Sequence, residues 1–525
     1  MAIDSTLITS VVQIGKGSVR GALVDGIHVF KGIPYAAPPF GPNHLRPPQP
    51  VQPWTGMRDA LEWGAEPPQP RMPPGAEGAG ELVYDPATPG EDCLNLNIWT
   101  PNPTATGLPV FVWIPGGMFE VCSGASYDGS RFARDGVVCV TINYRVGVEG
   151  FLFTSDGVPN RGLLDQLAAL AWIRDEIAAF GGDPTNVTIA GESAGAMSIG
   201  TLLSMPRAAG LFRRAIMESG AAHRVIDVKT ARCVARDLAA RVGVDVADGA
   251  APSTEAMAAV PWEQLLGASM ALKGELMAHP DPDRWGLDVV ASYLPWQPVV
   301  DGRIVPDRPI DRLAAGAARE IDVIVGSNTD DWRMFRVLGG DIERLTEDDL
   351  RAPVAEQGFL SLAAYGLPVE TALAAYRTLD PDASPGDVLA ELQTDWWCRI
   401  PAVRLADAHA AAARHGGGGT WVYEFSWPSP VFGGAMGSCH ALEIPFVFDT
   451  LDLGPKQMVG GLLGPEPPQT LATEMHDAWV RFAATGDPGW PRYDSERRAT
   501  QRFGVPSRVV NDAYLARRAL WDGVI

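Results

Sequence analysis

Gly191-Glu192-Ser193-Ala194-Gly195 joins a short apolar run, Asn186-Val187-Thr188-Ile189-Ala190, to a helix-compatible run over residues 194–203. A strand that turns this sharply into a helix is crowded, so the positions two before and two after the serine have almost no room for side chains. Such a turn lifts the hydroxyl of Ser193 above the sheet and leaves the backbone N–H of Ala194 free to face an oxyanion. The pentapeptide alone is weak, and its surroundings carry the reading.

Working outward, residues 110–114 and 137–142 are continuous apolar runs rich in β-branched residues, as strands buried on both faces require. Residues 162–180 place Leu163, Leu164, Leu167, Leu170, Ala171 and Ile177 at helical spacing. Further strands are expected at 215–218, 321–326 and 421–425. Strands alternating with helices predict an α/β fold, a mostly parallel central sheet with helices on both faces. Ahead of it, residues 11–14, 18–23 and 27–31 read as small antiparallel strands. The proline-dense stretch 34–74 reads as surface loop without regular elements. Residues 225–300 and 340–390 read as helical insertions over the sheet's C-terminal edge. No linker or internal repeat divides the chain, so residues 1–525 are expected to form one domain.

Composition narrows the partners. The 525 residues carry 42 Lys and Arg against 63 Asp and Glu, a net charge of −21, with no basic cluster. Nucleic acid and anionic membrane surfaces reward local positive charge and are poor partners. No window approaches the roughly 18 apolar residues that cross a bilayer, and the first residues lack a secretory pattern. Six scattered cysteines without a C-x-x-C pair fit a reducing compartment, so a cytoplasmic location is expected. Histidines and carboxylates show no metal-ligand spacing, and neither metal nor cofactor is called for. Oligomeric state is left open, with a monomer plausible.

A serine hydroxyl needs a base to take its proton, and the base needs a third group to orient it. In a sheet of this kind the partners follow on later strand-end loops, acid first and histidine last. After the strand at 321–326 comes Ser327-Asn328-Thr329-Asp330-Asp331-Trp332, with two carboxylates. Later, the small-residue loop Gly433-Gly434-Ala435-Met436-Gly437-Ser438-Cys439-His440 ends in a histidine. Of eight histidines, His440 has the right order and setting. The turn Trp113-Ile114-Pro115-Gly116-Gly117-Met118-Phe119 is the natural supplier of further oxyanion donors. Met118, Phe119, Trp332, Trp396 and Trp397 adjoin these segments and are candidate linings of an apolar pocket. The net charge favours neutral or cationic substrates.

With these pieces in place, the chain resembles the type-B carboxylesterases, which include cholinesterases and bacterial p-nitrobenzyl esterases. The likeness is carried by Gly32-Ile33-Pro34-Tyr35-Ala36, Glu91-Asp92-Cys93-Leu94-Asn95-Leu96-Asn97, Phe180-Gly181-Gly182-Asp183-Pro184, Pro298-Val299-Val300-Asp301-Gly302 and Phe482-Ala483-Ala484-Thr485-Gly486-Asp487-Pro488. The resemblance implies an α/β-hydrolase fold and a serine carboxylic-ester hydrolase acting through an acyl-enzyme. It implies Ser193 as nucleophile, His440 as base, Asp331 as acid with Asp330 a minor rival, and oxyanion donors at Gly117, Met118 and Ala194. It also implies a supporting network through Glu192 and Ser219.

Three departures bear on this. The acid is Asp331 where glutamate is usual. Met118 stands where the family's His-Gly-Gly-Gly has its last glycine, which predicts a narrower site and poor turnover of tertiary-alcohol esters. The cysteine that secreted relatives pair with the equivalent of Cys93 is missing, so segment 64–92 is expected to be an unstapled, lid-like loop. That segment has no tryptophan to stack on a quaternary ammonium. A carbamate or amide hydrolase using the same triad is the alternative activity. A non-catalytic binding protein is disfavoured because every triad position is filled.

Overall fold

In a computed structural model of the chain, the structure describes residues 9–70, 85–414 and 416–524. Fifteen strands are found among these residues: β1 (Thr9–Ile14), β2 (Gly17–Val24), β3 (Ile27–Pro34), β4 (Met57–Asp59), β5 (Asn95–Thr100), β6 (Leu108–Ile114), β7 (Val138–Ile142), β8 (Gly182–Glu192), β9 (Arg214–Glu218), β10 (Ile226–Asp227), β11 (Val299–Val300), β12 (Asp322–Asn328), β13 (Thr420–Phe425), β14 (Ala499–Phe503) and β15 (Arg508–Asn511). One large sheet runs β1-β2-β3-β5-β7-β6-β8-β9-β12-β13-β14-β15, with β4 on β2. From β7 to β14 every neighbour pair is parallel, while β1, β2, β3, β5 and β7 pair antiparallel and β15 closes the far edge antiparallel.

The pleat explains why the central strands read as unbroken apolar runs. In β6, Val110, Val112 and Ile114 point into one core cluster and Phe111 and Trp113 into the other. Parallel strands covered on both faces have no solvent side to spend polar residues on. The first face is covered by the helices Arg161–Glu176, Ala194–Ser204 and Ile400–Ala413, whose buried residues join the first cluster. The helix Gln469–Thr485 covers the other through Leu471, Met475, Trp479 and Phe482.

Differences from the sequence reading are local. Among the described residues the proline-dense stretch does hold two short regular pieces, a 3-10 turn at Gly41–Asn43 and β4, whose residues pair with Ser18, Val19 and Arg20 of β2. Strands β5, β14 and β15 were not expected. Of segment 64–92, residues 71–84 lie outside the described residues. Its two ends meet at a bridge between Glu66 and Pro89 and are tied to the chain beyond β6 by Cys122 N–H to Gln69 Oε1 (2.6 Å) and Ser123 Oγ to Asp85 Oδ1 (2.8 Å). Residues 225–300 hold four helices and a short fifth, Pro282–Trp285, and residues 340–390 hold Val369–Leu379 and most of Pro385–Thr394.

One ion pair anchors the loop after β7 to the long helix behind the sheet. Arg145 and Asp165, both fully buried, meet through Nε to Oδ2 (2.8 Å) and Nη2 to Oδ1 (2.7 Å), and the Arg145 N–H adds a third bond to Oδ2 (3.1 Å). Removing one partner leaves an uncompensated charge in the interior. Asp165→Asn is therefore expected to cost about 3–5 kcal/mol of stability, read as unfolding at lower urea concentration.

Candidate active site

The elbow is built from β8 running into the helix Ala194–Ser204. Ser193 sits between them at φ 54° and ψ −123°, in the left-handed half of backbone space. Its N–H donates to the Glu218 carbonyl of β9 (2.8 Å), and its carbonyl accepts from Met197 N–H (2.9 Å), so both neighbours hold the strained residue in place. The glycines are required by the close passage of β6. A Cβ on Gly191 would stand 2.5 Å from the Ile114 carbonyl oxygen, and one on Gly195 only 2.0 Å from it.

Two later loops bring the partners. Asp331 follows β12, and its Oδ1 takes the His440 Nδ1–H at 2.8 Å, while Oδ2 accepts from the Asn328 N–H at 3.0 Å. The backbone joins the same two loops, His440 N–H to the Asp331 carbonyl at 3.1 Å. Asp330 faces elsewhere. Its carboxylate accepts from the Ser438 N–H (3.0 Å) and Thr329 Oγ1 (2.8 Å), pinning the loop that carries His440. Asp331 is fully buried and His440 is 5% exposed.

The other ring nitrogen, Nε2, lies 2.9 Å from Glu192 Oε1, in poor alignment for a hydrogen bond, and no hydrogen bond joins it to Ser193 Oγ. Burial pulls the His440 pKa down. The Glu192 charge, first, and the bond to Asp331 outweigh it, and the net position is well above the ordinary imidazole value. Glu192 is itself raised, by burial first, with His440 acting against that.

The turn after β6 leaves its amides unused. No N–H of Gly117, Met118 or Ala194 donates to any group among the described residues. Met118 and Phe119 hold φ of 58° and 59°, a left-handed pair at which a side chain is strained, and Gly117 is at 116°. Met118 is half-buried. Phe119 is sealed in the core, its ring edge-on to Phe151 at 5.2 Å.

Trp332 stacks on Trp397 at 4.5 Å, and its ring centre is 6.3 Å from that of His440. Trp396 meets Trp397 edge-on at 5.4 Å. These indoles are almost wholly buried. Ser219, at φ 49°, reaches Glu443 Oε1 through Oγ at 3.4 Å.

Several residues here were not singled out from sequence. Asn328 donates through Nδ2 to Glu443 Oε2 (2.5 Å) and the Cys439 carbonyl (2.7 Å), joining both loops behind the histidine. Burial, then the charges of Glu192 and Asp331, push Glu443 up to about 8. Glu218 is also raised well above the ordinary carboxylate value, by burial and by Glu443, and accepts from Trp479 Nε1 at 2.8 Å. Phe335 lies 5.4 Å from the His440 ring, and Cys398 donates through Sγ to the Ser219 carbonyl at 3.4 Å. Only the position of Glu443, three residues past His440, could have drawn notice. Among the described residues, Asp331, Cys398 and His440 alone place three metal-ligating atom types within 4.8 Å, and they are the acid, its neighbour and the imidazole just described.

Comparison with known proteins agrees with this geometry. The family model described as the Carboxylesterase family matches residues 8–517. The chain is 35% identical over 523 residues to the para-nitrobenzyl esterase of Bacillus subtilis (strain 168), covering 97% of each. It is 35% identical over 494 residues to the phenmedipham hydrolase of Pseudarthrobacter oxydans, covering 91% of this chain and 92% of that one. The solved carboxylesterase EST55 of Geobacillus stearothermophilus superposes with a TM-score of 0.81 at 36% identity, over 97% of this chain and 99% of that one. A strained serine elbow, an imidazole held by a carboxylate, unused amides at the elbow and on the turn after β6, and this full-length likeness lead to one conclusion: the chain belongs to the carboxylesterase family, with its α/β-hydrolase fold, and is a carboxylic-ester hydrolase.

Proposed function

We propose that Ser193, His440 and Asp331 are the catalytic triad, and that the N–H groups of Gly117, Met118 and Ala194 form the oxyanion hole. The observation that carries this is the 2.8 Å bond from His440 Nδ1 to Asp331, within a site whose serine sits on the strained elbow. Asp331 fixes the tautomer, leaving Nε2 as the base. Nε2 takes the Ser193 proton as Oγ attacks the ester carbonyl. The developing oxyanion is met by the free amides, whose orientation is already set. His440 then returns the proton to the leaving alcohol, and water repeats the sequence to release the acid.

Nε2 must exchange Glu192 for Ser193 in this cycle. The poor alignment of the Glu192 contact supports that exchange, because little is lost when the ring turns from it. Catalytic hydrogen bonds are commonly loose before substrate binds. Six unpaired thiols, five of them buried, support the cytoplasmic placement.

Ser193→Ala tests the nucleophile. The pre-steady-state burst on p-nitrophenyl butyrate is expected in the parent and absent in the variant, and a surviving burst would overturn the assignment. The raised pKa of His440 sets the acid limb, since only the neutral ring accepts a proton. Activity is lost as pH falls through that pKa. Glu192→Gln removes a charge that holds it up, so the acid limb of kcat/KM is expected to move about 1–3 units lower in pH. Met118→Gly removes both the side chain and the strained left-handed residue. It is expected to raise turnover of tert-butyl acetate relative to n-butyl acetate, measured in competition.

A further inference from the structure

Six arginines are almost wholly buried: Arg145, Arg161, Arg214, Arg224, Arg336 and Arg399. Five have their charge answered. Arg145 meets Asp165, Arg336 meets Asp341, Arg399 meets Asp395 and Glu391, and Arg214 meets Asn186, the Ala483 carbonyl and, at 3.7 Å, Asp322. Arg161 has no carboxylate but is bonded by four backbone carbonyls. Arg224 is the exception. At 7% exposure it has no ion pair among the described residues, and its one hydrogen bond is long, Nη2 to the Trp396 carbonyl at 3.4 Å. Its Nε is buried with no partner.

The guanidinium sits in the corner between two edge-on indoles, 3.4 Å from the ring centre of Trp396 and 4.1 Å from that of Trp397. Such stacking favours the cation but leaves its N–H edge unspent. Burial draws the pKa down to about 9, with Asp288 acting weakly against this, so the group remains cationic at neutral pH. A buried cation with unused donors is costly unless something answers it.

Its position says what could. The segment carrying it leaves β9 behind the nucleophile, where a Cβ on Gly220 would stand 2.5 Å from the Ser193 carbonyl oxygen. Trp397, beneath the guanidinium, stacks on Trp332 next to Asp331, and the adjacent Cys398 Sγ is within 4.8 Å of a ligand atom of His440. Arg224 therefore stands against the Trp396–Trp397 pair, one ring removed from Trp332 and the His440 imidazole. A leaving alcohol must depart, whereas an acyl group stays on Ser193 and needs an enclosed place.

We propose that Arg224 is a specificity-determining residue that binds a carboxylate at the far end of the acyl group, so that half-esters of dicarboxylic acids are a substrate class of this enzyme. The planar fork matches a carboxylate through two parallel N–H donors. The proposal rests on the ester-hydrolase reading of the Ser193 site. It also runs against the bulk charge, which alone would turn anionic esters away.

The test compares monoethyl succinate, adipate and suberate with isosteres in which an isopropyl group replaces the carboxylate, following proton release. For the best chain length, the ratio of kcat/KM for the anionic ester to that for its isostere is expected to fall about 10²-fold in Arg224→Met. Arg224→Lys is expected to fall between the two. Because both esters are measured on one sample, loss of folded protein cancels from the ratio. A ratio changed less than threefold at every chain length overturns the proposal. So does a loss confined to 5-acetoxypentanoate, which carries its carboxylate on the alcohol side. Absence of turnover of every neutral ester by the parent would instead overturn the ester-hydrolase reading beneath it.

Discussion

The Ile114 carbonyl at the end of β6 is the constraint on which the site depends, because both flanking glycines of the serine elbow pack against it. Parallel pairing of β6 with β8 sets that distance, and the register carries Ile114 opposite Gly191. The same strand end then turns into the loop that carries Gly117 and Met118, where a Cβ on Gly116 would stand 3.1 Å from the Ser193 Cβ. The elbow serine and the free amides of that turn are thus placed by one strand pair, and side-chain rotamers add little to their geometry. Their accuracy follows from sheet hydrogen bonds in a close-packed interior, where shifts of even a methylene's size are resisted.

Around this rigid pair the charge is arranged unusually. Glu192, Glu218, Asp331 and Glu443 are all buried near His440. Burial raises the pKa of all three glutamates, which relieves mutual repulsion by keeping protons in the cluster. Asp331 differs in receiving both an amide N–H and the imidazole N–H. Hydrogen bonding thereby separates Asp331, which holds the imidazole, from the glutamates packed behind it.

How much of this was legible depended on whether a residue's role is local. The elbow could be read from five residues, because steric crowding is imposed by immediate neighbours. The central strands could be read from apolar runs, since burial on both faces leaves a compositional mark. His440 followed from chain order. Strands β14 and β15 left weaker marks, with Arg502, Arg508, Val509 and Asn511 on a partly solvated edge. Asn328 and Glu443 look ordinary in sequence, because their role exists only once two loops more than a hundred residues apart close together. Arg224 was invisible for the same reason. An unanswered charge is recognised by what fails to surround it, and no sequence pattern encodes that.

The strand order also sets when this enzyme becomes one. The elbow needs only β6, β8 and β9, whereas Asp331 and His440 follow β12 and β13, added in turn to the parallel edge. Chain order therefore places the elbow serine more than a hundred residues ahead of the carboxylate and imidazole that meet beside it. Long-range pairing of this kind forms slowly, so the constellation is complete only once the far parallel edge has docked.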